Sequence, residues 1–127
     1  MDACPICDRG EPLDVIADLG ATWATAGTEA PLPGYVCVVS KGHVVEPFEL
    51  PPPELDAFWR EAMLVARALA DLLQPVKMNY EIHGNTIPHL HMHLYPRFPG
   101  DPGIGRGSFT RSHTELERLA AAIAAAH

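Results

Sequence analysis

The chain has 127 residues, of which 47% are hydrophobic and 20% charged, and its formal net charge is -7 at pH 7. This length fits one domain with one modest core. The acidic balance argues against nucleic acid as a partner, because a broad nucleic-acid surface needs clustered lysine and arginine. No apolar run approaches the roughly 18 residues that span a bilayer, and the first residues do not resemble a secretory signal. We therefore expect a cytoplasmic protein with no membrane partner.

The three cysteines, Cys4, Cys7 and Cys37, are an odd number and do not indicate a disulfide framework. Cys4 and Cys7 have the Cys-x-x-Cys spacing that holds one tetrahedral zinc, and two further ligands are then needed. Cys37 lies in an apolar segment, so we predict that it belongs to the core and that the missing ligands are histidines. A reduced, unmetallated pair and a redox pair are the alternatives, although the residues after Cys7 lack the strand–helix context of a thioredoxin-like motif.

Three strands are predicted in the first third of the chain. Residues 13–19 and 21–26 form two short strands separated by a turn at Gly20. Residues 29–34 form a loop, since they contain two prolines and a glycine. Residues 35–40, Tyr-Val-Cys-Val-Val-Ser, are rich in β-branched residues and apolar on both faces, which is typical of a central strand.

A long helix is predicted next. Three prolines at 51–53 open it, because a missing backbone N–H is harmless in the first helical turn. Apolar residues recur at helical spacing from Glu54 to Leu73, and Trp59 follows this stripe, so we predict that Trp59 is part of the core. Pro75 ends the helix.

Two further strands and a second helix complete the predicted fold. Residues 76–83 and 89–95 have the composition of strands, with a turn at Gly84 and Asn85 between them. A loop rich in proline and glycine follows, and a capping box that begins at Ser112 precedes the closing helix. The order of elements indicates an α+β fold, with a mainly antiparallel sheet packed against two helices.

The segment at 89–95, His-Leu-His-Met-His-Leu-Tyr, is the most informative in the chain. Alternate side chains of a strand share one face and lie roughly 6.5–7 Å apart. His89, His91 and His93 are therefore predicted to project together, while the apolar residues between them point into the core. A solvated polar face or an incidental metal-binding strand is the alternative interpretation.

Four motifs of the chain resemble, in the same order, those of the histidine triad (HIT) family. Residues 89–95 resemble the family signature of histidines alternating with apolar residues, and residues 84–88, Gly-Asn-Thr-Ile-Pro, resemble the stretch that leads into it. Residues 40–43, Ser-Lys-Gly-His, resemble a Pro-Lys-x-His segment with serine in place of proline. Residues 4–7, Cys-Pro-Ile-Cys, resemble the N-terminal motif of the bacterial zinc-containing members. The resemblance implies a single HIT domain over residues 1–127, with the HIT-like fold and a homodimer.

The resemblance also implies a nucleotide hydrolase that cleaves a phosphoanhydride or phosphoramidate bond at the α-phosphate. Its substrates would be dinucleoside polyphosphates or nucleoside phosphoramidates. His91 would attack the α-phosphorus and form a nucleotidyl-histidine, since neutral imidazole is a competent nucleophile. His93 would donate a hydrogen bond to the phosphate, and a histidine there favours hydrolases over the relatives that transfer a nucleotide to a sugar phosphate, which carry glutamine. The candidate substrate contacts are Asn79, Asn85 and Thr86, although Asn85 also suits a turn and Thr86 a strand start.

In zinc-bearing relatives, the first triad histidine and the Lys-x-His segment complete the metal site, which implies the ligand set Cys4, Cys7, His43 and His89. Zinc would be structural, because four protein ligands leave no open position. A zinc-stabilised nucleotide-binding or regulatory protein with little turnover, or a nucleotidyltransferase, is the alternative function. We expect His83 to lie on the sheet face or to line the cleft. The cations available to offset substrate charge are Lys41, Arg97, Arg106 and Arg111.

Overall fold

The computed structural model describes residues 4–127. Its first element is a short helix, α1 (Pro5–Arg9), whose N-cap Cys4 accepts a hydrogen bond through Sγ from the Cys7 backbone N–H at 3.3 Å. Gly10 ends the helix with a φ of 85°, which glycine adopts at little cost. Helix α1 was not predicted, because five residues are too few to show helical periodicity.

Within the described residues, seven strands form a five-stranded sheet and a small two-stranded ribbon. The sheet has the order β1-β2-β4-β6-β5, and each neighbouring pair is antiparallel. The ribbon pairs β3 with β7 and ties the loop predicted at 29–34 to the segment before the last helix. The strands are β1 (Val15–Asp18), β2 (Thr22–Thr25), β3 (Glu29–Ala30), β4 (Val36–Ser40), β5 (Lys77–Ile82), β6 (His91–Arg97) and β7 (Phe109–Thr110).

The two predicted helices are present. Helix α2 (Pro52–Leu73) begins in the proline run, and its C-cap Gln74 adopts a left-handed conformation just before Pro75. Helix α3 (His113–Ala126) is capped by Ser112, whose hydroxyl accepts from the Glu115 backbone N–H at 3.2 Å. A 3₁₀ turn (Pro47–Glu49) precedes α2. In the part of the chain that the structure describes, no helix combines the length and apolarity needed to cross a membrane.

The core lies between one face of the sheet and helices α2 and α3. Met92 and Leu94 of β6, like Leu90 before it, are at most 1% exposed, as the alternating pattern predicts. Trp59 was predicted to be core, and this is wrong, because its side chain is 42% exposed. Its neighbour Phe58 faces the core. Because successive residues of a helix point about 100° apart, Trp59 is turned towards solvent.

The opposite face of the sheet carries the polar residues. Cys37 pairs with His93 and Val39 pairs with His91 between β4 and β6. Directly opposed residues of an antiparallel pair project from the same face, so these four side chains lie on the face away from the helices. The next strand contributes Glu81 to this face, because Glu81 pairs with His93.

One predicted boundary is corrected. Strand β6 begins at His91 and not at His89, which lies in a bend where its backbone N–H donates to the Ile87 carbonyl at 2.8 Å. The connection from β5 therefore runs over residues 83–90, in place of the tight turn predicted at Gly84 and Asn85. As a result, His89 lies two residues before the strand, and its side chain faces different neighbours from that of His91.

Candidate active site and metal site

Cys4, Cys7, His43 and His89 converge at the corner where α1 meets the sheet. The Cys7 Sγ lies 3.1 Å from His43 Nδ1 and 3.6 Å from His89 Nδ1, and Cys4 Sγ lies 3.5 Å from His89 Nδ1. The two Nδ1 atoms are 3.1 Å apart. Zinc bonds of about 2.0–2.3 Å to tetrahedral corners separate ligand atoms by about 3.3–3.8 Å. The four residues could therefore hold a metal, and they are the four that the resemblance implies.

The surroundings of His89 favour this role. Its Nε2–H donates to the Ser40 carbonyl at 2.6 Å, which leaves the lone pair of Nδ1 directed at the two sulfurs and His43. Metal-ligating histidines usually donate their other ring N–H to such an oxygen. His89 is 2% exposed, and burial lowers its pKa, so the neutral form that a metal requires is favoured. Ser40 also donates through Oγ to the Gly42 carbonyl at 2.9 Å, shaping the turn that brings His43 to the cluster.

His91 is oriented by the backbone of this same corner. Its Nδ1 lies 2.6 Å from the His89 carbonyl oxygen, which can only accept, so Nδ1 must carry the proton. Its Nε2 then has a free lone pair, as a nucleophile requires. His89 thus contacts both groups: its side chain faces Cys4, Cys7 and His43, and its backbone carbonyl orients the His91 imidazole.

His93 is held by an aromatic neighbour. The Tyr35 hydroxyl lies 2.6 Å from His93 Nδ1, and the rings of Tyr35 and Tyr95 are stacked with centroids 5.0 Å apart. Burial, followed by the nearby His91 and His83, lowers the pKa of His93 to about 4. Burial also raises the pKa of Tyr35, so its hydroxyl keeps its proton. At neutral pH, His93 is therefore a neutral imidazole with one proton to donate.

Two cavities meet at His91 and His93. The larger one, about 550 Å³, is lined by the loop before β6, including Asn85 and Thr86, and by His83. The smaller one, about 250 Å³, is mostly apolar; its lining includes Leu13, which is otherwise exposed, and Arg9. The structure thus places Asn85 and Thr86 beside the predicted catalytic histidines, and His83 lines the cleft. The other apolar lining residues of the smaller cavity are Ile6, Pro12, Val39 and Ile87.

Asn79 lies elsewhere on the same face of the sheet. It opposes Tyr95, and its Oδ1 accepts from Arg97 Nη1 at 2.8 Å. Arg97 in turn donates twice to Asp101, at 2.9 and 2.7 Å, and holds the pKa of that carboxyl far below its usual range. The structure therefore gives Asn79 a partner outside the two cavities, and its contact with substrate stays a prediction.

The predicted cations are mostly engaged. Lys41 pairs with Asp18, and Arg97 pairs with Asp101. Arg111 is 4% exposed and donates to the Tyr35 carbonyl at 2.7 Å and twice to the Gly27 carbonyl. Arg106, in the loop before β7, is exposed.

Three residues of the site were missed from the sequence. Tyr35 contacts His93, Arg9 lines the smaller cavity, and Cys37, although buried as predicted, has its Sγ within 4.8 Å of ring nitrogens of both His91 and His93. Cys37 lies in β4, and Tyr35 is the residue just before that strand, two positions earlier, so an extended backbone puts both side chains on one face. Only the register with β6 shows that this face is the one that carries the histidines.

The hydrogen bonds predict the protonation states of the two histidines. In ¹H–¹⁵N spectra of the imidazole rings, His91 should be the Nδ1–H tautomer, because the His89 carbonyl can only accept. His93 should stay neutral as the pH falls from 8 to 5, because its pKa is lowered to about 4, whereas a histidine peptide protonates near pH 6.5. Protonation of His93 near pH 6.5 would contradict the burial and contacts described above.

The chain is a two-layer α+β domain with histidines on the open face of its sheet. A Cys₂His₂ cluster lies beside the start of β6. Residues 9–100 match the HIT domain family. The chain therefore belongs to the HIT family. It is 26% identical over 102 residues to the protein hit of Bacillus subtilis (strain 168), covering 72% of this chain and 69% of that protein.

Solved structures share the fold. A histidine triad protein from Sinorhizobium meliloti 1021 is 27% identical with a TM-score of 0.79, over 90% of this chain and 89% of that one. A zinc-bound histidine triad family protein from Mycobacterium smegmatis is 24% identical with a TM-score of 0.73, over 97% and 94%. The diadenosine triphosphate hydrolase of Plasmodium falciparum is 18% identical with a TM-score of 0.68, over 88% and 74%. Membership of the family supports a function of the nucleotide-binding or hydrolase type.

Proposed function

We propose that the protein is a nucleotide hydrolase that cleaves a phosphoanhydride or phosphoramidate bond at the α-phosphate through a nucleotidyl-histidine. The observation that carries this proposal is the position of His91. Its imidazole has a free Nε2 lone pair, fixed by the His89 carbonyl, and it lies where an apolar cavity meets a cavity lined by polar groups. A nucleophile between a nucleoside subsite and a phosphate subsite is what this reaction needs.

The proposed reaction has two steps. The His91 Nε2 lone pair forms a bond to the α-phosphorus, the bond to the leaving group breaks, and the leaving group departs with the electron pair and takes a proton from solvent. Water then attacks the phosphorus and releases a proton to solvent, the phosphorus–nitrogen bond breaks, and a nucleoside monophosphate leaves while His91 regains its lone pair. Phosphoryl chemistry depends mostly on positioning and charge neutralisation, so hydrogen-bond donors around the phosphate are important.

His93 supplies one such donor. When the Tyr35 hydroxyl donates to Nδ1, the single proton of the neutral imidazole sits on Nε2 and can be donated to a phosphate oxygen. The Asn85 amide and the Thr86 hydroxyl line the same cavity and are further donors. Arg9, at the smaller cavity, is a candidate to offset substrate charge.

The substrate class is supported by the shape of the cleft. The apolar walls around Leu13, Val39 and Ile87 suit a nucleoside, whereas the second cavity leaves room for a leaving group beyond the α-phosphate. A structural neighbour is a diadenosine triphosphate hydrolase, which is consistent with dinucleoside polyphosphates. Nucleoside phosphoramidates are the second substrate class, and the enzyme is proposed to act as a cytoplasmic homodimer.

We also propose that Cys4, Cys7, His43 and His89 hold a structural zinc. Two cysteines and two histidines are a common donor set for closed zinc sites, and a neighbour of the same fold is zinc-bound. Zinc would supply no reaction chemistry here. It would fasten α1, which lines the smaller cavity through Ile6 and Arg9, to the strand that carries His91.

Purified protein incubated with diadenosine tetraphosphate, diadenosine triphosphate or an adenosine phosphoramidate should release adenosine monophosphate. Because both bond types place the α-phosphorus beside His91, at least one substrate should turn over catalytically, and chromatography of the products measures this directly. Nucleotide binding without release of monophosphate would contradict the hydrolase and favour a binding protein.

A further inference from the structure

A thiol lies among the histidines of the open sheet face. Cys37 is directly opposite His93 across the β4–β6 ladder, and one ligand atom each from Cys37, His91 and His93 lies within 4.8 Å of the others. All three residues line the smaller cavity, so the group is reached from the cleft and not only from the protein interior. This group is separate from the four residues of the zinc cluster.

The donors of this group suit a thiophilic cation. Burial raises the pKa of the Cys37 thiol to about 12, so a metal must displace the thiol proton when it binds. The resulting thiolate and two imidazoles are ligands that zinc accepts, and three protein ligands leave a fourth position for water. His91 already has a free lone pair on Nε2. The Tyr35 hydroxyl can either donate to His93 or accept from it, so His93 can present a lone pair to a metal without losing its partner.

We propose that Cys37, His91 and His93 form a second binding site, for a divalent cation such as Zn²⁺, and that metal bound there inhibits the enzyme. Binding forms bonds from the cation to one sulfur and two nitrogens, while the Cys37 thiol releases its proton to water. The metal takes the lone pair with which His91 would attack phosphorus. The inhibition, but not the binding, rests on the proposed function.

Binding is tested with Co²⁺ added to protein whose Cys₂His₂ cluster is already filled with zinc. We expect one equivalent of Co²⁺ to bind with a sulfur-to-cobalt charge-transfer band while the zinc content stays constant. Cys37→Ser keeps the size of the side chain but removes the sulfur, so the band should disappear. His93→Gln, which leaves Cys37 in place, should weaken Co²⁺ binding by at least about tenfold. Failure to bind Co²⁺, or a band that persists in Cys37→Ser, would overturn the second site.

Inhibition is tested by adding Zn²⁺ during nucleotide hydrolysis. Each variant is compared with its own rate in the absence of added metal, so that any direct effect of the substitution cancels. Cys37→Ser should need at least about tenfold more Zn²⁺ for half-inhibition than the wild type. Equal sensitivity of the two proteins would overturn the inhibitory role, because metal bound to the substrate affects both equally. Should the protein hydrolyse no nucleotide, the Co²⁺ spectrum still decides whether the site exists.

Discussion

Replacing His91 with alanine should lower nucleotide turnover by at least about a thousandfold, because in the proposed mechanism this imidazole forms the covalent bond to phosphorus. The zinc content and the melting temperature should stay close to the wild-type values. His91 lies on the open sheet face, and its Nδ1 hydrogen bond goes to the backbone carbonyl of His89, so it contacts none of the side-chain atoms that would bind the metal. Initial rates, metal analysis and a thermal melt are the three measurements.

Trapping of the intermediate distinguishes a nucleophile from a residue that only positions the substrate. Acid quenching of wild-type protein with a labelled nucleotide should leave label on the chain, and His91→Ala should retain none. Added imidazole should partly restore release of monophosphate to His91→Gly, since a free imidazole fits the vacated space. Near-wild-type turnover by the alanine variant would show that another group forms the bond to phosphorus.

Replacing His89 with alanine should have a different result. The variant loses a cluster ligand, and because metal-binding free energy contributes to folding, its melting temperature should fall by roughly 10 °C or more. Zinc should drop from about one per chain towards zero. Activity should fall as well, since the bend that presents the His89 carbonyl to His91 loses its anchor.

His43→Ala is the matched control for this variant, because it removes a cluster ligand from outside the bend and the strand. It should also lose zinc and stability, with a smaller loss of activity in protein that remains folded. Full zinc occupancy in His89→Ala would contradict the four-ligand site and would place the His89 side chain among the catalytic groups.

Most features that depend on a local sequence pattern were predicted correctly. Alternation placed Leu90, Met92 and Leu94 in the core, and proline and cap residues marked both long helices. Alternation alone did not predict the position of His89. Its ring donates a hydrogen bond to the Ser40 carbonyl and its backbone N–H donates to the Ile87 carbonyl, so this residue is not paired as part of β6. An alternating pattern of apolar and polar residues indicates a strand but does not show at which residue its pairing with the next strand begins or ends.

The contacts of Tyr35 and Cys37 depend on strand register. Both residues belong to a segment that is apolar on each face, so nothing local tells which side chains meet the helices and which meet the histidines. The order β2-β4-β6 and the pairing of Cys37 with His93 settle this only after the chain has folded. Long-range pairing is information that a single strand does not carry.

The buried guanidinium of Arg111 links the C-terminal part of the chain to the sheet face that carries the histidines. It follows the matched family segment, which ends at residue 100, yet it binds the carbonyl of Tyr35, whose hydroxyl contacts His93. The sheet face that carries the histidines is therefore stabilised by a segment that follows the part matched to the family. A chimera that takes its C-terminal segment from a relative without an equivalent arginine would keep His89, His91 and His93. It would lose the hydrogen bond from Arg111 to the Tyr35 carbonyl.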